Sequence, residues 1–87
     1  ERAAAPVLHR ALLHGARLAA EGETDAGALR LAMAAIVAAE PLAKLDYVEV
    51  ADAVDLRPVE RCTPGTRLFG AVCFGRARLI DNVAIGS

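Results

Sequence analysis

The stretch from Arg67 to Ile85, RLFGAVCFGRARLIDNVAI, leaves this chain the least choice of fold. It is the densest run of strand-forming residues, and Gly75-Arg76-Ala77 cuts it in two. The first half holds Leu68, Phe69, Val72, Cys73 and Phe74; the second holds Leu79, Ile80, Val83 and Ile85. Two apolar runs joined by a short glycine-containing segment predict a β-hairpin. Arg78 and Asp81-Asn82 interrupt the second run with polar side chains.

Upstream the period is that of a helix. Leu8, Ala11, Leu12, Gly15, Leu18 and Ala19 recur every three or four residues and form one stripe. Arg2, Arg10 and Arg17 fall largely off it. Pro6 is tolerated only in a first turn, so the helix is expected to start near Ala4 or Ala5 and run to about Ala20. Gly22 suits its C-terminal cap. Thr24 is the expected N-cap of a second helix, with Asp25 beside the positive end of the dipole. That helix runs from Ala26 to Ala39 and stops before Pro41, which pushes its predecessor out of the α region. Two helices joined by about four residues form an antiparallel αα-hairpin.

From Lys44 to Ala51 the period becomes two, with Val48 and Val50 on one face and Tyr47 and Glu49 on the other. Asp52 to Gly65, with Asp55, Pro58, Thr63 and Pro64, reads as a loop under which Leu56 and Val59 tuck. The order helix, helix, strand, strand, strand predicts an α+β fold: an antiparallel αα-hairpin followed by a three-stranded antiparallel sheet. With 87 residues there is room for one domain and one core, here residues 1–87. The chain opens at Glu1 without a methionine, in helical sequence, as expected of a piece of a longer protein.

Charge and composition exclude several functions. Ten basic and 11 acidic residues give a net charge of −1, interspersed, which is no footprint for nucleic acid or an anionic membrane. The aromatic residues are Tyr47, Phe69 and Phe74, too few for a base-stacking platform. No apolar run approaches the roughly 20 residues of a membrane span. Cys62 and Cys73 form no Cys-x-x-Cys motif and are expected to be reduced thiols, with Cys73 a small buried apolar side chain.

The reactive side chains do not assemble into a known catalytic pattern. His9 and His14 are five apart, roughly 140° around a helix axis, and cannot share a metal ion. Ser87 is the only serine and Thr24, Thr63 and Thr66 are the only threonines, none near a histidine in sequence. Gly65, Gly70 and Gly75 read as turns and a strand kink rather than a phosphate loop. Asp81 alternates onto the face of Leu79, Val83 and Ile85. There it must be hydrogen-bonded or ion-paired, either as a structural acid pinned by backbone N–H groups or by Arg78 or Arg67, or as a catalytic or binding acid. The structural reading is favoured, and the same holds for Asp46-Tyr47. No catalytic, cofactor-binding or metal-binding residue is assigned.

The order of short motifs is more informative than any one of them. Gly22-Glu23-Thr24, Glu40-Pro41-Leu42, Leu45-Asp46-Tyr47-Val48-Glu49, Asp52-Ala53, Leu56-Arg57-Pro58-Val59 and Arg78-Leu79-Ile80-Asp81-Asn82 follow in this order. Over nearly the whole chain this resembles the C-terminal domain of the pantoate–β-alanine ligases. Ala77 departs from the family's usual threonine. The resemblance implies a cytoplasmic, homodimeric enzyme that joins pantoate to β-alanine through a pantoyl-adenylate, using ATP and Mg²⁺. It implies that catalysis resides on an N-terminal Rossmann-like domain, absent from this chain, which would be the partner of the lid-like domain in hand. It also implies that this domain alone is inactive and holds no cofactor. A stand-alone α+β interaction module is the alternative.

Overall fold

A computed structural model describes residues 5–63 and 65–85; Glu1, Arg2, Ala4, Pro64 and Ser87, noted above, lie outside them. Helix α1 spans Ala5–Ala20 and helix α2 spans Ala26–Ala38. Strands β1 (Lys44–Asp52), β2 (Thr66–Phe74) and β3 (Ala77–Ala84) form one antiparallel sheet in that order. The αα-βββ arrangement expected from the sequence is the one observed.

Three of these boundaries have causes visible in their hydrogen bonds and backbone angles. Gly22, at φ 113°, lets α1 end with the Glu23 N–H bonded back to the Leu18 carbonyl at 3.0 Å. The N-cap of α2 is Asp25, not Thr24: its carboxylate accepts from the N–H groups of Gly27 (2.8 Å) and Ala28 (3.4 Å). Thr24 is unavailable because its backbone is drawn into an extended pairing with the loop before β2. Its carbonyl accepts from the Cys62 N–H at 2.8 Å, and Ala26 N–H donates to the Glu60 carbonyl at 3.0 Å. The β2–β3 turn is the two residues Gly75-Arg76, since Phe74 pairs directly with Ala77. Gly75 supplies the positive φ, 60°, that a tight hairpin turn requires at its first position.

The two helices cover one face of the sheet. Leu8 and Leu12 of α1, Leu29, Met33 and Val37 of α2, and Val50, Leu68 and Val72 of the sheet are fully buried together. Burying each such side chain contributes about 1.5–3 kcal/mol. Two glycines set how closely α1 approaches α2 and the sheet. A Cβ on Gly15 would stand 2.8 Å from Met33 Sδ, and a Cβ on Gly70 would stand 2.6 Å from Leu8 Cδ1. Gly70 is therefore not a strand kink. It sits in regular register between Val48 and Asp81, at the place where α1 presses on the sheet.

Candidate functional site

The helices take the face of Leu68, Gly70 and Val72, so pleating turns Arg67, Phe69, Ala71 and Cys73 to the opposite face. Cross-strand rows on this open face are Tyr47–Ala71–Ile80 and Glu49–Phe69–Asn82. Ile80 is 56% exposed and Tyr47 39%, while Ala71 between them is buried. Cys73 is half-buried here rather than in the core, because its face is the one the helices leave open. Cys62 is the buried thiol, and burial, with Glu23 adding to it, raises its pKa above the ordinary value.

Asp46, Arg78, Arg67 and Glu49 each have a side-chain partner. A one-residue irregularity in β1, where Leu45 and Tyr47 pair with the consecutive residues Val72 and Ala71, leaves Asp46 outside the regular register. Its Oδ2 accepts from both Nε (2.9 Å) and Nη2 (2.7 Å) of Arg78. The same guanidinium lies 5.9 Å from the centre of the Tyr47 ring. Arg67 donates to Asn82 Oδ1. Arg30 of α2 donates to Glu49 Oε1 at 3.1 Å, an ion pair that ties α2 to β1.

The loop after β1 adds an apolar projection. Leu56 does not tuck beneath it; the side chain is largely exposed, and φ is +60°. A left-handed leucine costs roughly 1–2 kcal/mol, which local hydrogen bonds hold in place. Leu56 N–H donates to the Asp52 carbonyl (2.9 Å), and Asp52 Oδ1 accepts from Val54 N–H (2.8 Å) and Asp55 N–H (3.3 Å). Val59, by contrast, packs on the core as expected. Leu56, Tyr47, Glu49, Ala51 and Phe69 line an open hollow of about 180 Å³. Small-molecule sites run to about 300–1,000 Å³, so the hollow suits a protein side chain better.

Asp81 shares the face of Leu79 and Val83 as predicted, but neither Arg78 nor Arg67 satisfies it. Its Oδ2 lies 3.0 Å from His9 Nδ1, on the second turn of α1, and its Oδ1 accepts from the Asn82 N–H at 2.8 Å. The carboxylate is 35% exposed. His14 stands apart from this pair, with its Nδ1 2.9 Å from Arg17 Nη2. Among the described residues no three His, Cys, Asp or Glu side chains are grouped to hold a metal ion. A half-open sheet face with apolar side chains between hydrogen-bonded polar groups is equipped to meet another protein surface.

Comparison with known proteins gives a consistent result. The profile of the Pantoate-beta-alanine ligase family matches residues 1–84. A pantothenate synthetase of Chloroflexus aurantiacus (strain J-10-fl) is 51% identical over 83 residues, covering 94% of this chain and 30% of the relative. One from Roseiflexus sp. (strain RS-1) is 48% identical over 85 residues, covering 98% and 31%. The crystal structure of pantothenate synthetase from Thermus thermophilus superposes with a TM-score of 0.83 at 33% identity, over 91% of this chain and 28% of that one. The chain thus spans about three tenths of the length of the curated relatives it matches.

Proposed function

The chain belongs to the pantoate-beta-alanine ligase family, and on that premise we propose that it is the C-terminal, lid-like domain of a ligase condensing pantoate with β-alanine. The reaction would pass through a pantoyl-adenylate, with ATP as the activating substrate and Mg²⁺ assisting. Both would be held by an N-terminal Rossmann-like domain of the same protein, which the resemblance also makes the seat of a cytoplasmic homodimer. The residues described here do not fit a Mg²⁺–ATP site of their own: Asp46, Glu49 and Asp81 are each already committed to a cationic or histidine partner. No chemical step is therefore assigned to them.

The observation that carries this reading is identity of 41–51% to pantothenate synthetases over almost the entire chain. The open sheet face supports the role of a cover. Tyr47, Phe69, Ile80 and Leu56 offer apolar contact on a scaffold stiffened by the helical pair behind it. A rigid cover excludes water from a hydrolysable acyl-adenylate and strengthens electrostatic interactions beneath it.

A chimera tests the assignment. The upstream region of the Chloroflexus aurantiacus relative is joined to this chain, and pantothenate formation from pantoate, β-alanine and ATP is followed. The chimera is expected to be at least about tenfold faster than the upstream region alone. A folded chimera no faster than that region would overturn the proposal.

A further inference from the structure

The two edges of the sheet are treated differently. The outer edge of β1 is covered over its C-terminal end: Val59 N–H donates to the Val50 carbonyl and Asp52 N–H to the Arg57 carbonyl, both at 2.9 Å. The outer edge of β3 has no such strap among the described residues. Phe74 and Ala77 flank a two-residue turn, and Ile85 N–H, eight residues on, still donates to the Thr66 carbonyl at 3.1 Å. Odd-numbered residues of β3 therefore direct their N–H and C=O groups to β2, and Arg78, Ile80, Asn82 and Ala84 direct theirs outward. An eight-residue strand with such an edge is a template for another chain, and proteins blunt it with charges pointing inward from the strand.

Asp81 has the required position. Its side chain is on the helix-covered face, yet Oδ1 takes the Asn82 N–H, one of the outward groups, at 2.8 Å. Oδ2 is held 3.0 Å from His9 Nδ1, so α1 fixes the carboxylate in place. We propose that Asp81, positioned by His9, closes the free edge of β3 to strand addition by a second copy of this chain. Every antiparallel β3–β3 register that pairs three or more outward residues of each copy uses the Asn82 N–H. The one register that pairs all four sets Ile80 opposite Asn82 of the second copy. It also places the two Asp81 carboxylates side by side at the two-fold axis, where like charges repel. One side chain thus blocks an essential donor and penalises the most extensive pairing. This inference does not depend on the ligase assignment.

The test is sedimentation equilibrium of the 87-residue chain and its variants, with circular dichroism to establish folding. Asp81→Ala is expected to lower the dimer dissociation constant at least about tenfold. Asp81→Asn keeps an acceptor oxygen without the charge and is expected to fall between. Adding Asn82→Pro to Asp81→Ala removes the edge N–H and is expected to restore the monomer. A folded Asp81→Ala that associates no more than the unaltered chain overturns the proposal, as does a dimer that survives Asn82→Pro. Hydrogen exchange on the unaltered chain decides independently of any variant's folding. The Asn82 amide is expected to exchange several-fold more slowly than those of Ile80 and Ala84, and His9→Ala to abolish that difference while core amides are unchanged. Equal exchange at the three amides overturns the proposal.

Discussion

Gly70→Ala probes the contact that sets the spacing between helices and sheet. The new Cβ would lie 2.6 Å from Leu8 Cδ1, well inside van der Waals distance, and 3.5 Å from both Leu12 Cδ2 and the Tyr47 carbonyl. Leu8 is fully buried, so its δ-methyl has no solvent to swing into, and the helix or the strand must yield. Overpacking of this kind costs about 1–3 kcal/mol. Replacing glycine by alanine returns about 0.4–1 kcal/mol by restricting the unfolded chain. The balance is a loss of about 1–2 kcal/mol, or a Tm lowered by roughly 4–15 °C in a domain of this size. Gly65, around which a Cβ meets nothing within 4 Å, is the control. The decisive measurement is a double-mutant cycle by urea denaturation. Leu8→Val removes the obstructing δ-carbon and costs about 1 kcal/mol alone. Combined with Gly70→Ala it is expected to show a favourable coupling of about 1 kcal/mol, because the added methyl enters the vacated space. Strict additivity of the two losses would refute the claim that Leu8 and Gly70 set the spacing.

Two further predictions concern residues outside this contact. Asp25→Ala removes the α2 cap and is expected to cost about 0.5–2 kcal/mol in the same denaturation assay, with Thr24→Ala costing less. Cys62 titrates at a higher pH in the folded protein than in the unfolded chain, owing to its burial and to Glu23. The folded state thus binds the thiol proton more tightly. The stability this contributes is fully present below the unfolded thiol's pKa and is lost as pH rises through the raised folded value. Stability measured from about pH 8 to 10.5 is expected to fall more steeply in the unaltered chain than in Cys62→Ala. Parallel curves would contradict it.

The order of elements and most of their limits were legible from period and punctuation alone. Pro6, Gly22, Pro41 and Gly75 act through local backbone geometry, which a sequence displays directly. Thr24 and Asp25 mark where that reasoning stops. Both are good caps, and the choice between them is made by a pairing to Glu60 and Cys62, far along the chain. Leu56 shows a different failure. An apolar residue in a polar loop suggests burial, yet the Asp52 and Asp55 side chains bind the loop's own amides and turn Leu56 outward. His9 and Asp81 are separated by 72 positions, and no local pattern announces their contact.

Alternation divides β2 into Leu68, Gly70 and Val72 on one side and Arg67, Phe69, Ala71 and Cys73 on the other, but it does not say which side the helices take. Each side of β2 carries one phenylalanine, Phe74 on the first and Phe69 on the second, so aromatic content does not settle it. The glycine decides: an α-helix reaches van der Waals contact with the sheet most closely where one strand position has no side chain, and α1 lies against Gly70. The face of Tyr47 and Phe69 is left open as a result, and the surface suited to another protein follows from where the core can close. Asp81 is placed by the same approach. Because α1 comes close over Gly70, which pairs with Asp81, its His9 reaches the carboxylate at the edge. Enlarging residue 70 should therefore loosen the His9–Asp81 contact as well as the core. Faster exchange of the Asn82 amide in Gly70→Ala, with Thr66–Ile85 pairing intact, is the expected sign of that coupling. Unchanged Asn82 exchange in a destabilised Gly70→Ala would show that the edge and the core are independent.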